Sequence, residues 1–285
     1  MPGHPIQPIH LTVDGLDIHA LSAGSGERCL LALHGGGSDS ASLSWGDLVE
    51  PLAASGIRVI APDLPGYGES ARPDVNYTTA YYLEFIEHLV AALSIPRFSL
   101  LGLSMGGALA LGTALRHPDW VDKLVLAGSY GLQREVAYHK ASWLMVQMPG
   151  LMESTWALVR TGRGMARWSA SQIFHNPRTI PESLVDELYA EALKPHAGRA
   201  FTRYQRDDVL WNGLRTVYID RLGELALPTL LVHGRGDAAV PLRWVEDAHR
   251  RILGSQLRVI DGAGHWVQRE QPEAFRQAVV HFLNS

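Results

Sequence analysis

The chain has 285 residues, of which 46% are hydrophobic and 19% are charged, and its formal net charge is −4. Such a chain can bury a large core, which excludes an intrinsically disordered or a collagen-like protein. The slight acidic excess offers no basic surface to a phosphate backbone, so we expect no nucleic-acid partner.

The cysteine content and the hydropathy pattern exclude further classes of protein. Cys29 is the only cysteine, which excludes an intrachain disulfide and a cysteine-based zinc site. No apolar run approaches the roughly 18 residues that span a membrane. Residues 1–10 lack the charged start and the apolar stretch of a signal peptide. We therefore expect a cytoplasmic protein with no membrane partner.

Strands and helices are predicted to alternate along the first 130 residues. Asp14-Gly15 separates two alternating segments and indicates a hairpin. Continuous apolar runs such as Cys29–Leu33 indicate strands that are buried on both faces. The predicted strands are 9–13, 16–22, 29–33, 57–61, 98–101 and 123–127. The predicted helices are 43–55, 78–94 and 105–116.

The alternation stops in residues 131–222, which show helical patterns and turn signals but no buried strand. It resumes with predicted strands 229–233 and 256–260 and predicted helices 242–253 and 272–283. Such alternation predicts an α/β fold with a parallel sheet covered by helices on both sides. The predicted division is therefore a core in two parts, 1–130 and 223–285, interrupted by a helical insertion, 131–222.

The insertion is rich in large apolar side chains, with four of the eight Trp and four of the six Met residues. Two interpretations stay open. These side chains fill the core of a small helical subdomain, or some of them line an adaptable, apolar substrate pocket. The pocket candidates in the insertion are Trp143, Met145, Met148 and Trp168.

The segment Gly102-Leu103-Ser104-Met105-Gly106 carries the strongest chemical motif. It follows an apolar strand and opens a helix, which is the setting in which G-x-S-x-G holds a nucleophilic serine on a strained turn. The helix N-terminus behind the serine favours negative charge at the reaction centre. Ser104 is thus the predicted nucleophile, with an ordinary serine in a glycine turn as the alternative.

A serine needs a base, and the base needs an orienting carboxylate. His265 is the predicted base, because it lies in a glycine-containing loop after the last predicted strand, where α/β sheets place active sites. Asp237 follows the preceding predicted strand and is the predicted carboxylate, with Asp261 as its rival. His34 and His233 are the rival histidines.

The segment His34-Gly35-Gly36-Gly37 follows strand Cys29–Leu33. Backbone without side chains lets N–H groups approach a developing oxyanion. The N–H of the residue after the nucleophile, Met105, is the predicted second donor. A tight turn without a catalytic part is the alternative.

Five segments together resemble the α/β-hydrolase superfamily over nearly the whole chain. They are HGGG (34–37), DLPGYGES (63–70), GLSMGG (102–107), GRGDAAVP (234–241) and GAGHW (262–266). The resemblance implies an eight-stranded, mostly parallel sheet with a helical cap at 131–222. It also implies that the backbone of Gly36 and Met105 binds the oxyanion. Gly35, Gly37 and Trp266 beside these motifs complete the pocket candidates.

Two branches of that superfamily are most similar: single-domain esterases and meta-cleavage-product hydrolases, which split carbon–carbon bonds in vinylogous diketone acids. HGGG, SMGG followed by Gly131-Leu132, and GHW near Gln268 resemble the second branch. That branch binds the substrate carboxylate through a cap arginine, but the approximate register has Leu188 at this position. The arginines that remain as replacements are Arg160, Arg163, Arg167 and Arg178.

We therefore expect a serine hydrolase of the carboxylesterase type that cleaves a small, fairly apolar ester through an acyl-enzyme. The alternatives are a carbon–carbon hydrolase of a diketone acid and a ligand receptor that retains the triad. No HExxH, GxGxxG or P-loop is present, so we expect no metal and no cofactor. The expected partner is a small-molecule substrate, and a homodimer is left open.

Overall fold

The computed structural model describes residues 5–285; residues 1–4, part of the segment on which the absence of a signal peptide is predicted, lie outside it. The strands are β1 Gln7–Val13, β2 Leu16–Ala23, β3 Cys29–Leu33, β4 Arg58–Pro62, β5 Phe98–Leu103, β6 Val121–Ala127, β7 Val209–Leu210, β8 Gly213–Leu214, β9 Thr229–Gly234 and β10 Gln256–Ile260. The helices are α1 Ala41–Ala53, α2 Thr79–Leu93, α3 Met105–Arg116, α4 His139–Gln147, α5 Leu151–Val159, α6 Arg163–Ser171, α7 Glu182–Leu193, α8 Arg199–Asp208, α9 Leu242–Arg251, α10 Val267–Glu270 and α11 Pro272–Asn284.

Eight strands form one sheet in the order β1-β2-β4-β3-β5-β6-β9-β10. The pairs β1–β2 and β2–β4 are antiparallel, and the five remaining pairs are parallel. The predicted fold class, an eight-stranded and mostly parallel sheet flanked by helices, is confirmed. The hairpin β7–β8 forms a separate two-stranded sheet.

The central strands separate two buried clusters, one on each face of the sheet. Side chains alternate along β3, so that Leu31 and Leu33 join one cluster while Leu30 and Ala32 join the other. All five residues of β3 are buried. This burial on both faces is the physical reason for the continuous apolar runs in the sequence.

Helix α1 begins two residues before its predicted start. The hydroxyl of Ser40 accepts a hydrogen bond from the backbone N–H of Leu43 at 3.2 Å and caps the first turn. Apolar periodicity alone predicts a loop for residues 40–43. The capping serine, Ser40, is the signal in the sequence that would have given the correct start of the helix.

Residues between β6 and β9 form the helices α4–α8 and the hairpin β7–β8. Helix α8 reaches back to the core, because a Cβ atom at Gly36 would lie only 2.4 Å from the ring of Phe201. The exact division at 131–222 stays a prediction. No helix among residues 5–285 is long and apolar enough to cross a membrane.

Candidate active site

Ser104 lies at the sharp turn between β5 and α3. Its backbone has φ 51° and ψ −116°, a region that non-glycine residues rarely occupy. The turn is held by the backbone: the N–H of Ser104 donates to the Ala127 carbonyl at 3.0 Å, and its carbonyl accepts from Tyr130 at 3.0 Å. Strained backbone that its surroundings hold in this way is typical of functional positions.

The glycines around Ser104 are required by close contacts between backbone segments. A Cβ atom at Gly102 would lie 2.2 Å from the carbonyl oxygen of Gly106, and one at Gly106 would lie 2.3 Å from that of Leu33. Backbone atoms of a central strand cannot move away as a flexible side chain would. The motif is therefore a steric requirement of this turn.

The Gly106→Ala variant is expected to lower the free energy of unfolding by about 3 kcal/mol, the upper part of the range for overpacking, because its methyl group meets backbone. Gly46→Ala is the control. A Cβ atom there is 3.7 Å from its nearest neighbour, Ser42 Oγ, so alanine in helix α1 should stabilise by roughly 0.5–1 kcal/mol. Urea denaturation measures both, and equal stability of Gly106→Ala and the parent would contradict the steric argument.

His265 and Asp237 form a buried pair at the carboxyl ends of neighbouring strands. Nδ1 of His265 lies 2.8 Å from Oδ2 of Asp237, whose side chain is fully buried. The other carboxylate oxygen of Asp237 accepts the backbone N–H groups of Ala239 and Val240, each at 2.9 Å. This arrangement fixes the carboxylate and orients the imidazole so that Nδ1 carries the hydrogen and Nε2 is left as the basic nitrogen.

Burial and pairing act in opposite directions on this pair. Burial alone would lower the pKa of His265 and raise that of Asp237. The attraction between the two charges and their hydrogen bond outweigh burial, so the pKa of His265 lies above its ordinary 6.5 and the pKa of Asp237 below its ordinary 3.8.

The alternative candidates Asp261 and His233 do not form this pair. Asp261 is 78% exposed and pairs with Arg235 on the surface. His233 is buried, and its Nε2 lies 2.8 Å from the carbonyl of Val240, which anchors the loop that carries Asp237. Burial lowers the pKa of His233, which keeps it neutral at neutral pH.

The glycine loop after β3 is ordered by His34 and Asp39. Nδ1 of His34 donates to the Gly35 carbonyl at 2.7 Å, and its Nε2 accepts the Leu64 N–H at 3.0 Å. Asp39 accepts the N–H of Gly35 at 2.7 Å, and burial raises the pKa of this carboxyl to about 6. Sequence reasoning missed Asp39, because a lone aspartate after a glycine run has no spacing that signals it.

The backbone N–H groups of Gly36 and Met105 donate no hydrogen bond to another group of residues 5–285. Both residues line the same cavity as Ser104. Free N–H groups of this kind are able to bind an anionic oxygen.

Ser104 and His265 line a cavity of about 360 Å³. Four of the predicted pocket residues, Gly35, Gly37, Trp168 and Trp266, line it as well.

Trp143, Met145 and Met148 do not line the cavity, which corrects the prediction for these three. Trp143 packs edge-on against Trp211, and Met145 and Met148 are 44% and 43% exposed. Helix α4 buries only Val146, so its apolar residues lie on the outer side of the insertion. Side chains of helix α5 line the cavity instead, namely Met152, Thr155, Trp156 and Val159.

The four candidate arginines also lie outside the cavity wall. Arg160 donates to the backbone carbonyls of Ala192 and Ala197, and Arg163 and Arg167 pair with Glu182. Leu188 does line the cavity, as the approximate register predicts for the position of the family arginine. Within the described part of the chain, no Lys or Arg lines this wall and no group of three His, Cys, Asp or Glu side chains is suited to a metal ion.

The fold and this arrangement define an α/β hydrolase. The family model for the alpha/beta hydrolase fold matches residues 29–272, so the chain belongs to this family and is a hydrolase. It is 34% identical to the 2-hydroxymuconate semialdehyde hydrolase of Pseudomonas putida over 230 residues, which cover 79% of this chain and 76% of the relative.

Two further proteins are similar along almost the whole chain. The 2-hydroxy-6-oxo-6-(2'-aminophenyl)hexa-2,4-dienoic acid hydrolase of Metapseudomonas resinovorans is 29% identical over 274 residues, with 95% of this chain and 88% of the relative covered. The solved structure of the meta-cleavage product hydrolase of Pseudomonas fluorescens IP01 superposes with a TM-score of 0.81 at 27% identity, with 97% of each chain covered.

Proposed function

We propose that Ser104, His265 and Asp237 are a catalytic triad. Ser104 attacks a substrate carbonyl carbon while Nε2 of His265 takes the hydroxyl proton, and Asp237 stabilises the imidazolium that results. The hydrogen bond of 2.8 Å between His265 and Asp237 supports these roles, because it sets the tautomer that leaves Nε2 free to accept. The strained turn at Ser104 supports its role as nucleophile.

The N–H groups of Gly36 and Met105 stabilise the oxyanion of the tetrahedral intermediate. The intermediate collapses to an acyl-enzyme, and His265 returns its proton to the leaving group. A water molecule, deprotonated by His265, then attacks the acyl-enzyme, and His265 gives this proton to the oxygen of Ser104 as the acid is released. The free N–H groups beside Ser104 support this assignment.

The substrate that this cavity suits best is a small, fairly apolar carboxylic ester without an anionic group. The observation that carries this conclusion is the cavity wall, which has Leu188 and no Lys or Arg among its described residues. A carboxylate that enters an apolar site without a cation loses several kcal/mol of hydration. An ester without a carboxylate avoids this cost.

Carbon–carbon bond hydrolysis is the second candidate, and the relatives favour it over ester hydrolysis. Their names specify a semialdehyde and a dienoic acid as substrates. The same nucleophile and base serve both reactions, since each begins with attack on a carbonyl carbon. The two candidates therefore differ in what the cavity must hold, an ester without a carboxylate or an acid.

The two reactions are separated by kcat/KM for nitrophenyl esters of increasing acyl length and for one ring-fission dienoate. We expect multiple turnovers of the esters, which also excludes a receptor without turnover, and weaker hydrolysis of the dienoate. Single changes of the four candidate arginines to Gln should alter ester kcat/KM by less than about tenfold, or ~1.4 kcal/mol, because none lines the cavity. A higher kcat/KM for the dienoate than for the esters would establish carbon–carbon hydrolysis. So would an arginine variant that no longer hydrolyses a dienoate on which the parent enzyme acts well.

The pH profile tests the role of His265. Only the neutral imidazole accepts a proton, so kcat/KM should fall as the pH drops through the pKa of His265 in the free enzyme. Because pairing with Asp237 raises that pKa, the inflection is expected above pH 6.5. Asp261→Asn should leave it in place, since Asp261 is exposed and pairs with Arg235. An inflection below pH 6.5 would contradict the assignment.

A further inference from the structure

The cavity wall carries polar side chains that the proposed reaction does not use. They are Gln133 and Gln205, which lie after β6 and in helix α8, and Asp208 at the end of α8. Gln133 is only 1% exposed, and its Oε1 atom has no hydrogen-bond partner within residues 5–285; Oε1 of Gln205 has none either. Buried amide oxygens without partners are rare and costly, which indicates that a bound molecule completes them.

Asp208 is 1% exposed and lines the same cavity. Its carboxylate accepts the hydroxyl of Tyr130 at 2.5 Å and the backbone N–H of Thr216 at 2.8 Å. Tyr130 also donates its N–H to the carbonyl of Ser104 at 3.0 Å, so Asp208 lies one tyrosine side chain away from the turn of the nucleophile.

Burial raises the pKa of the Asp208 carboxyl above its ordinary value, and no partner of opposite sign among residues 5–285 favours its ionised form. None of its contacts in the described part of the chain is an ion pair, and no Lys or Arg lines the cavity. A buried carboxylate that is stabilised only by neutral donors attracts a cation and repels an anion. The aromatic rings of Tyr204 and Phe201 on the same wall add a favourable surface for a positive charge.

We propose that Asp208, Gln133 and Gln205 form a subsite for an ammonium group of the substrate. The substrate is then an ester with a primary amine at the end of a short apolar chain. The carboxylate pairs with the cation, while the two amide oxygens accept its remaining N–H groups. This inference rests on the proposed function in taking Ser104 as the nucleophile, and it adds the chemical class of the substrate.

The test compares nitrophenyl esters that differ only at the end of the acyl chain: 6-aminohexanoate, 6-hydroxyhexanoate, heptanoate and hydrogen adipate. At pH 8 we expect kcat/KM for the amino ester to exceed that for heptanoate at least about tenfold, or ~1.4 kcal/mol, with the anionic adipate slowest. Asp208→Asn should bring the ratio of amino ester to heptanoate close to one. Asp207→Asn is the matched control, because this neighbouring carboxylate pairs with Arg215 and does not line the cavity.

A binding measurement separates this proposal from the proposed ester hydrolysis. Hexylammonium should raise the melting temperature of the Ser104→Ala variant more than hexanol does at equal concentration, and Gln133→Leu should reduce the difference. This melting-temperature comparison also tests the subsite if the Asp208→Asn variant does not fold. Ester turnover with no preference for the amine, or an amine preference that survives in Asp208→Asn, would overturn the subsite. Preferential amine binding without turnover of any ester would support the subsite and overturn the proposed ester hydrolysis.

Discussion

The Ser104→Ala variant is expected to lose about 10⁴–10⁶ in kcat and all labelling by a fluorophosphonate probe. Without the hydroxyl no acyl-enzyme forms, and the free N–H groups of the turn contribute only the residual stabilisation of the oxyanion. The fold should remain, because the turn is held by backbone hydrogen bonds, donated by Ser104 to Ala127 and by Tyr130 to Ser104, and not by the serine hydroxyl. Labelling, turnover and thermal melting measure the three effects separately.

Ser38→Ala is the matched control for this prediction. Ser38 also lines the cavity, and its hydroxyl is buried without a partner among the described residues. It lies in a loop and lacks the strained turn that Ser104 has. Its replacement should therefore leave labelling intact, whereas labelling of Ser104→Ala at the rate of the parent would refute the choice of nucleophile.

Asp237→Asn is expected to lower kcat by about 10⁴-fold. Two backbone N–H groups bind Oδ1 of Asp237, so the oxygen of an asparagine stays with them and its NH₂ group faces His265. The NH₂ group can only donate, which forces Nδ1 of His265 to accept and moves the hydrogen to Nε2. The base then points its proton, not its lone pair, at the serine.

Asp261→Asn is the control for the carboxylate. It removes a surface pair with Arg235 and leaves the pair of His265 and Asp237 untouched, so kcat should change by less than about tenfold, or ~1.4 kcal/mol. Steady-state kinetics on one ester with both variants gives the ranking. If Asp261→Asn were the more damaged enzyme, the assignment of the acid would be wrong.

Local patterns in the sequence predicted the fold class and the position of the serine turn. Continuous apolar runs such as Cys29–Leu33 follow from burial on both faces of a central strand. The glycines around Ser104 stand in one short motif, and Gly102 and Gly106 tolerate no side chain there. Each of these signals spans only a few consecutive residues, so it can be detected without tertiary information.

Tertiary structure alone decided which distant groups meet. Asp237 and Asp261 have similar positions after neighbouring strands, and only the fold brings the first to 2.8 Å from His265 and leaves the second on the surface. The same holds for the insertion, where Met148 is exposed and Trp156 lines the cavity. Composition reports how many apolar side chains a helix has, but the rotation of the helix against its neighbours determines which of them face the cavity. The position of Leu188 on a wall without Lys or Arg among its described residues and the carboxylate of Asp208 on the same wall likewise arise from contacts between segments far apart in the chain, which no local pattern encodes.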